Sequence, residues 1–338
     1  MRACGRVGMG ASLSRARAAG ASRTVVRRAE PEAATEAPAP ASAEVLSSRY
    51  AAWQAKPEWQ DVTPTPFKLQ EGYLGRVAGA SVGGLATLMV GAFGPGYSPS
   101  LARLTDDQKA GRYFLPVSPA GVTVQEESAL SSFPRPAQPL ILYEFQGCPF
   151  CRKVRNAVSA LGLDVLVRPC PSGGATWRPE AIAKGGKRQF PYLIDPNPEG
   201  GEVAMYESDD IIAYLFRTYG PGDVPTAFAF RNGAILNSLG LLGRMGAGSR
   251  AKPALMPPQP LQLWAYEPSP FCVVVKEVLC AYEIPYVQHS CPRGSPKRQE
   301  LFERVGHFQA PYLEDPNTGA AMFESAQIIS YLEDVYAA

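Results

Sequence analysis

Two thiols stand at a spacing that can do chemistry: Cys148-Pro149-Phe150-Cys151. The run before them, residues 140–145, is short and apolar and predicts a strand. After them, Phe150, Val154, Ala157, Val158 and Leu161 recur at helical spacing. Cys148 therefore falls at a helix N-cap. There, unsatisfied N–H groups and the positive end of the helix dipole favour a thiolate. Thiols so placed have pKa values lowered from about 8.5. Pro149 takes the first helical position, where a missing N–H does no harm. Cys151 lies one turn further in, shielded but close enough to attack a mixed disulfide on Cys148. These positions make Cys148 the candidate nucleophile and Cys151 the resolving thiol. Zinc is the rival chemistry and would need a second Cys or His pair. The chain has no other Cys-x-x-Cys, and its two histidines are His289 and His307, so no metal is assigned. A plain pair of core thiols at a helix start is the structural alternative.

The elements that position these cysteines occur twice. Residues 139–220 and 260–338 share one pattern. Pro149-Phe150-Cys151 returns as Pro270-Phe271-Cys272, and Cys170-Pro171 as Cys291-Pro292, both at an offset of 121. Pro191-Tyr192-Leu193 returns as Pro311-Tyr312-Leu313, and Asp195-Pro196-Asn197 as Asp315-Pro316-Asn317. Glu207-Ser208 and the apolar helix after it return as Glu324-Ser325. Two copies of this length indicate a duplicated domain rather than a solenoid, which uses shorter and more numerous units. Within a copy the periodicity predicts β-α-β-α-β-β-α, with Ser208 capping the last helix. That order implies a mixed sheet with helices on its faces. The expected fold class is α/β: two tandem domains of this kind behind a disordered N-terminus and a Gly-rich helical segment. Residues 43–138 form an extension, and residues 221–259 a helical linker.

The strand, Cys-Pro-Phe-Cys, helix, Phe190-Pro191 and Glu207-Ser208 resemble a thioredoxin-fold domain. The nearer resemblance is to glutaredoxins and the N-terminal domain of glutathione S-transferases. The whole chain resembles plastid and bacterial proteins with two tandem domains of that kind. The phrase from Gly147 to Arg155 is similar to the motif of prostaglandin E synthase type 2. This resemblance implies glutathione as cosubstrate and disulfide-bearing proteins as partners. It implies that Pro191 and Pro311 are cis, and that the Phe190 backbone pairs with the cysteinyl part of glutathione. It implies that Glu207 and Ser208, with Glu324 and Ser325 in the second copy, hold the γ-glutamyl end. A helix start suits that carboxylate. Plain capping is the rival reading of these pairs.

The second copy departs from the pattern. Ser269 replaces the first thiol, and Cys272 alone occupies the shielded position. Serine there resembles transferases whose hydroxyl stabilises bound glutathione thiolate; it also suits a capping role. The expected activity is glutathione-linked thiol–disulfide exchange through Cys148. A transferase or isomerase, or a non-catalytic glutathione- or protein-binding scaffold, are the alternatives. Arg152, Lys153 and Arg155 either lower the Cys148 pKa or form a solvated face. Cys170 and Cys291 share a structural role or are oxidation targets, and Cys280 is expected in the core.

The 338 residues carry a net charge of +2, but unevenly. Residues 1–29 hold seven arginines and no acid, with no apolar core of the kind a secretory signal needs. They read as a transit peptide, for the chloroplast or alternatively the mitochondrion, within a tail spanning residues 1–42. Without them, 26 basic and 31 acidic residues leave a net of −5, which argues against nucleic acid as a partner. Residues 77–94 are uncharged and hold five glycines. A Gly-rich helix packed on the protein is favoured over a membrane anchor.

Overall fold

The computed structural model describes residues 39–338 except 61, 66–69, 87–88, 117–121 and 245. The arginine-rich segment and Cys4 lie outside the described residues.

Helix α1 (Ala43–Gln54) begins on Ser42, whose hydroxyl accepts from the Val45 N–H. Helix α2 is Leu74–Ala86, shorter and earlier than the 77–94 segment expected. After it the backbone turns through left-handed conformations at Met89 and Gly91. Among the described residues no helix is long and apolar enough to cross a membrane. The glycines of α2 have a packing role. A Cβ on Gly79 would meet the Gly243 carbonyl at 2.6 Å, and one on Gly83 the Gly240 carbonyl at 2.7 Å. The helices could not approach so closely with larger residues. Strands β1 (Ser98–Arg103), β2 (Leu115–Pro116) and β3 (Val122–Glu127) form a small antiparallel sheet in the order β1-β3-β2. Helix α3 (Asp106–Ala110) lies between β1 and β2, capped by Thr105 and Gln108.

The first repeat unit runs β4 (Leu140–Glu144), α4 (Pro149–Ala160), β5 (Asp164–Pro169), α5 (Trp177–Gly185), β6 (Tyr192–Asp195), β7 (Val203–Met205) and α6 (Ser208–Tyr219). Helices α7 (Thr226–Arg231) and α8 (Ala234–Leu242) follow. The second unit runs β8 (Leu261–Ala265), α9 (Pro270–Ala281), β9 (Tyr286–Ser290), α10 (Lys297–Val305), β10 (Tyr312–Asp315), β11 (Ala320–Met322) and α11 (Ser325–Tyr336). Each is the expected thioredoxin-like β-α-β-α-β-β-α unit. In each, the first two strands pair in parallel across a helical crossover, and the last two form an antiparallel hairpin.

The repeated Asp-Pro-Asn holds this hairpin in place. Asp195 accepts from Tyr214 and Tyr219, both at 2.6 Å. Asp315 accepts from Tyr331 and Tyr336, both at 2.5 Å. Asn197 and Asn317 pair with the backbones of Gln138 and Gln259, just ahead of the first strand of each unit. The motif recurs because it closes the same polar network twice.

The two units do not sit as separate beads. Their strands form one eight-stranded sheet, β11-β10-β8-β9-β5-β4-β6-β7. The joint is the antiparallel pair β5–β9, where Leu166 faces Val287. Those two residues are counterparts in the repeat. Val165↔Gln288 and Val167↔Tyr286 flank them as mirror images. Joining β5 to β9 hides two edges that would otherwise expose unpaired backbone groups. One apolar cluster therefore includes Leu142 and Val165 of the first unit and Leu263 and Tyr286 of the second. The run 253–260 is tied down rather than a free spacer: the Leu255 N–H donates to the Tyr336 carbonyl at 2.7 Å.

Candidate functional site: a dithiol at one helix start and a roofed cavity at the other

The α4 N-cap is Cys148, with an extended backbone, and Pro149 is the first helical residue. Cys148 Sγ accepts from the Cys151 N–H at 3.2 Å. Cys148 is 6% exposed and Cys151 fully buried. The neighbouring Cys151 thiol holds Cys148 below the ordinary cysteine range; burial opposes this, while the Cys151 N–H and Arg155 add to it. Burial pushes Cys151 well up, and its hydrogen bond to Cys148 pushes the same way. The two thiols are thus driven apart in acidity, one toward thiolate and the other toward neutral thiol. The six described cysteines are all free.

The basic residues that follow are not a solvated face. Helix α4 packs against α6, α8 and β9, so Arg152, Lys153 and Arg155 are all buried. Arg155 pairs with Glu144 and with Glu267 of the second unit. Lys276, the repeat counterpart of Arg155, pairs with Glu267 as well. These four charges balance and are buried together between the units. Arg155 and Lys276 outweigh burial and hold Glu267 at about 2.

Around the dithiol, the Phe190–Pro191 bond is cis, as is Ala310–Pro311 in the second unit. The N-cap of α6 is Glu207, not Ser208; Ser208 is the first helical residue and buried. Likewise Glu324, not Ser325, caps α11. The glutamate carbonyls accept the first intrahelical bonds, Glu207 from the Ile211 N–H at 3.0 Å and Glu324 from the Ile328 N–H at 2.8 Å. Each serine therefore already has a helical backbone. Glu207 lies at φ 64°, a region costly for any side chain. Its carboxylate is exposed and accepts from Gln189 at 2.7 Å.

Two arginines escaped the sequence reasoning. Arg178 donates to the carbonyls of Cys170 and Pro171, and its guanidinium covers the rings of Phe145 and Phe190. Arg298 donates to the carbonyls of Cys291 and Pro292 and covers Tyr266 and Phe308. The signal was present as Arg178-x-Glu180 and Arg298-x-Glu300. Cys170 and Cys291 are fully buried, and burial raises both thiols, which favours the structural role over oxidation. Cys280 is in the core as expected.

At the second helix start, Ser269 is the N-cap and its Oγ accepts from the Cys272 N–H at 3.3 Å. Cys272 is fully buried, and burial raises its thiol. Ser269, Pro311, Glu324 and Ser325 come together on a cavity of about 460 Å³. The extension roofs it with Thr65, Tyr113, Phe114 and Leu115. Sequence reasoning did not foresee that roof, because no local pattern around Thr65 or Tyr113 announces where they dock.

Both units match the family model described as glutathione S-transferase, N-terminal domain, at residues 142–223 and 263–338. The fold is therefore that of two tandem thioredoxin-like units, and each is similar to that family model. No curated protein is similar enough in sequence to count as a relative. Among solved structures, one described as "Leishmania TDR1 - a unique trimeric glutathione transferase" is similar at 13% identity. The likeness spans 57% of this chain and 68% of that one, with a TM-score of 0.21. At that score nothing about this chain follows from it.

Proposed function

We propose that the first unit is a glutathione-linked thiol–disulfide oxidoreductase. The carrying observation is the pairing of Cys148, a helix-capping thiol held below the ordinary range, with buried Cys151 held above it. The Cys148 thiolate attacks one sulfur of a substrate disulfide. That S–S bond breaks, a mixed disulfide forms on Cys148, and the displaced thiolate takes a proton from solvent. Cys151 then gives up its proton, attacks the Cys148 sulfur and releases the second substrate thiol. The resulting Cys148–Cys151 disulfide is reduced by two glutathione molecules, which leave as glutathione disulfide.

In this reading the Phe190 backbone, Glu207 and Ser208 hold glutathione beside Cys148. The family match and the strained Glu207 backbone support that placement. Phe150, 50% exposed next to the nucleophile, offers an apolar contact to a disulfide-bearing protein. The test is glutathione-dependent reduction of a mixed-disulfide substrate by the full chain and by Cys148→Ser. Equal rates from the two would sink the proposal.

A further inference from the structure

The cavity of the second unit occupies the place where the family resemblance puts glutathione, yet its chemistry suits a different molecule. Glu324 is buried, and its Oε1 already accepts from the Thr65 N–H at 2.8 Å and from Gln309 Nε2 at 2.9 Å. The extension's own backbone N–H thus already engages one oxygen of the carboxylate that an incoming ammonium would need. The positive charge is also matched. Arg293 and Arg298 both bind Glu126 of β3, at 2.9 and 3.3 Å, and the Tyr113 hydroxyl also accepts from Arg298 at 2.6 Å. A ligand carboxylate would have to compete with a buried carboxylate for either guanidinium.

What remains is aromatic and neutral. Phe114, Tyr266, Phe302 and Phe308 wall a space of about 460 Å³, within the range of roughly 300–1,000 Å³ of small-molecule sites.

We propose that this cavity binds an uncharged aromatic small molecule, held between the rings of Phe114, Tyr266, Phe302 and Phe308. The site is independent of the first unit's thiol chemistry.

The probe is N-phenyl-1-naphthylamine, a neutral aromatic amine that fluoresces when it leaves water, titrated into the full chain. Saturable binding of one probe per chain is expected, unchanged in Cys148→Ser. Phe271→Trp and Leu115→Trp, both lining the cavity, should each weaken it at least about tenfold, the effect of losing about 1.4 kcal/mol of contact. Circular dichroism checks each variant, and whichever keeps its fold decides. Three results would overturn the proposal: no saturable binding, wild-type affinity in a folded variant, or competitive displacement by millimolar glutathione. The glutathione competition uses the unmodified chain and is decisive even if both variants unfold.

Discussion

The two units share a fold, a cis proline and a capped helix, but differ at the lip of the site. In the first unit Phe150 is exposed, Glu207 faces solvent on a strained backbone, and the cap atom is a sulfur. In the second, Phe271 is partly buried in a roofed cavity, Glu324 is buried at an ordinary φ of −70°, and the cap atom is an oxygen. The helix start itself is alike: Sγ accepts at 3.2 Å in one and Oγ at 3.3 Å in the other. The cap geometry therefore does not decide reactivity. What differs is the atom placed there and what the rest of the chain lays over it.

This comparison can be broken most sharply through the nucleophiles. Cys148→Ser should lower glutathione-dependent disulfide reduction by at least about 10²-fold, as removal of a nucleophile does, while Cys272→Ser leaves the rate unchanged. Ser269→Cys should restore the Cys-Pro-Phe-Cys motif in the second unit without adding activity, because the extension covers it. A doubled rate would show that the roof does not matter.

Glu267→Gln is the next largest. It leaves Arg155 and Lys276 buried with one carboxylate between them, and breaking such a pair costs about 3–5 kcal/mol. The urea midpoint should fall accordingly. Both units should still unfold in one transition, since they share a core; two separated transitions would contradict the joined sheet.

The pH dependence is smaller but specific. Cys148 is held below its ordinary value, so its iodoacetamide alkylation rate should rise at lower pH than that of a free cysteine. Above the midpoint of that rise the thiolate is full; below it, reactivity is lost as the sulfur is protonated. Cys272, raised by burial, should stay unmodified until the protein unfolds. Last, Ser269→Ala should cost about 1 kcal/mol, the usual worth of a serine cap. Chemical denaturation measures that loss, and a much larger one would mean that Ser269 supports more than the α9 start.

Much of this was legible because it repeats. The alternation of apolar runs marked each strand and helix, and Cys148 could be placed at a helix start from Pro149 and the period alone. The cap at Glu207 was missed by one residue, since a serine before a helix is the commoner cap and only backbone dihedrals reveal the exception. The burial of Arg152, Lys153 and Arg155 was illegible for a different reason. A charged helix face looks solvated until its partners are known, and Glu267 is 112 residues from Arg155 and Asp209 is 56 from Lys153. The joined sheet was equally hidden, because strand edges carry no residue pattern that names their partner. The roof over Ser269 depends on Thr65 and Tyr113, whose contacts with the second unit are entirely long-range.

The register at β5–β9 has a last consequence. Leu166 facing its own counterpart Val287 is the arrangement that two identical subunits adopt about a twofold axis. Here one polypeptide supplies both halves, so the pairing cannot be lost on dilution. In a pair of identical subunits every substitution arrives twice, and a change that suits one site is imposed on the other. Fusion lifts that constraint. A single serine could replace a cysteine on one side only, and the extension could close one mouth while the other stayed open.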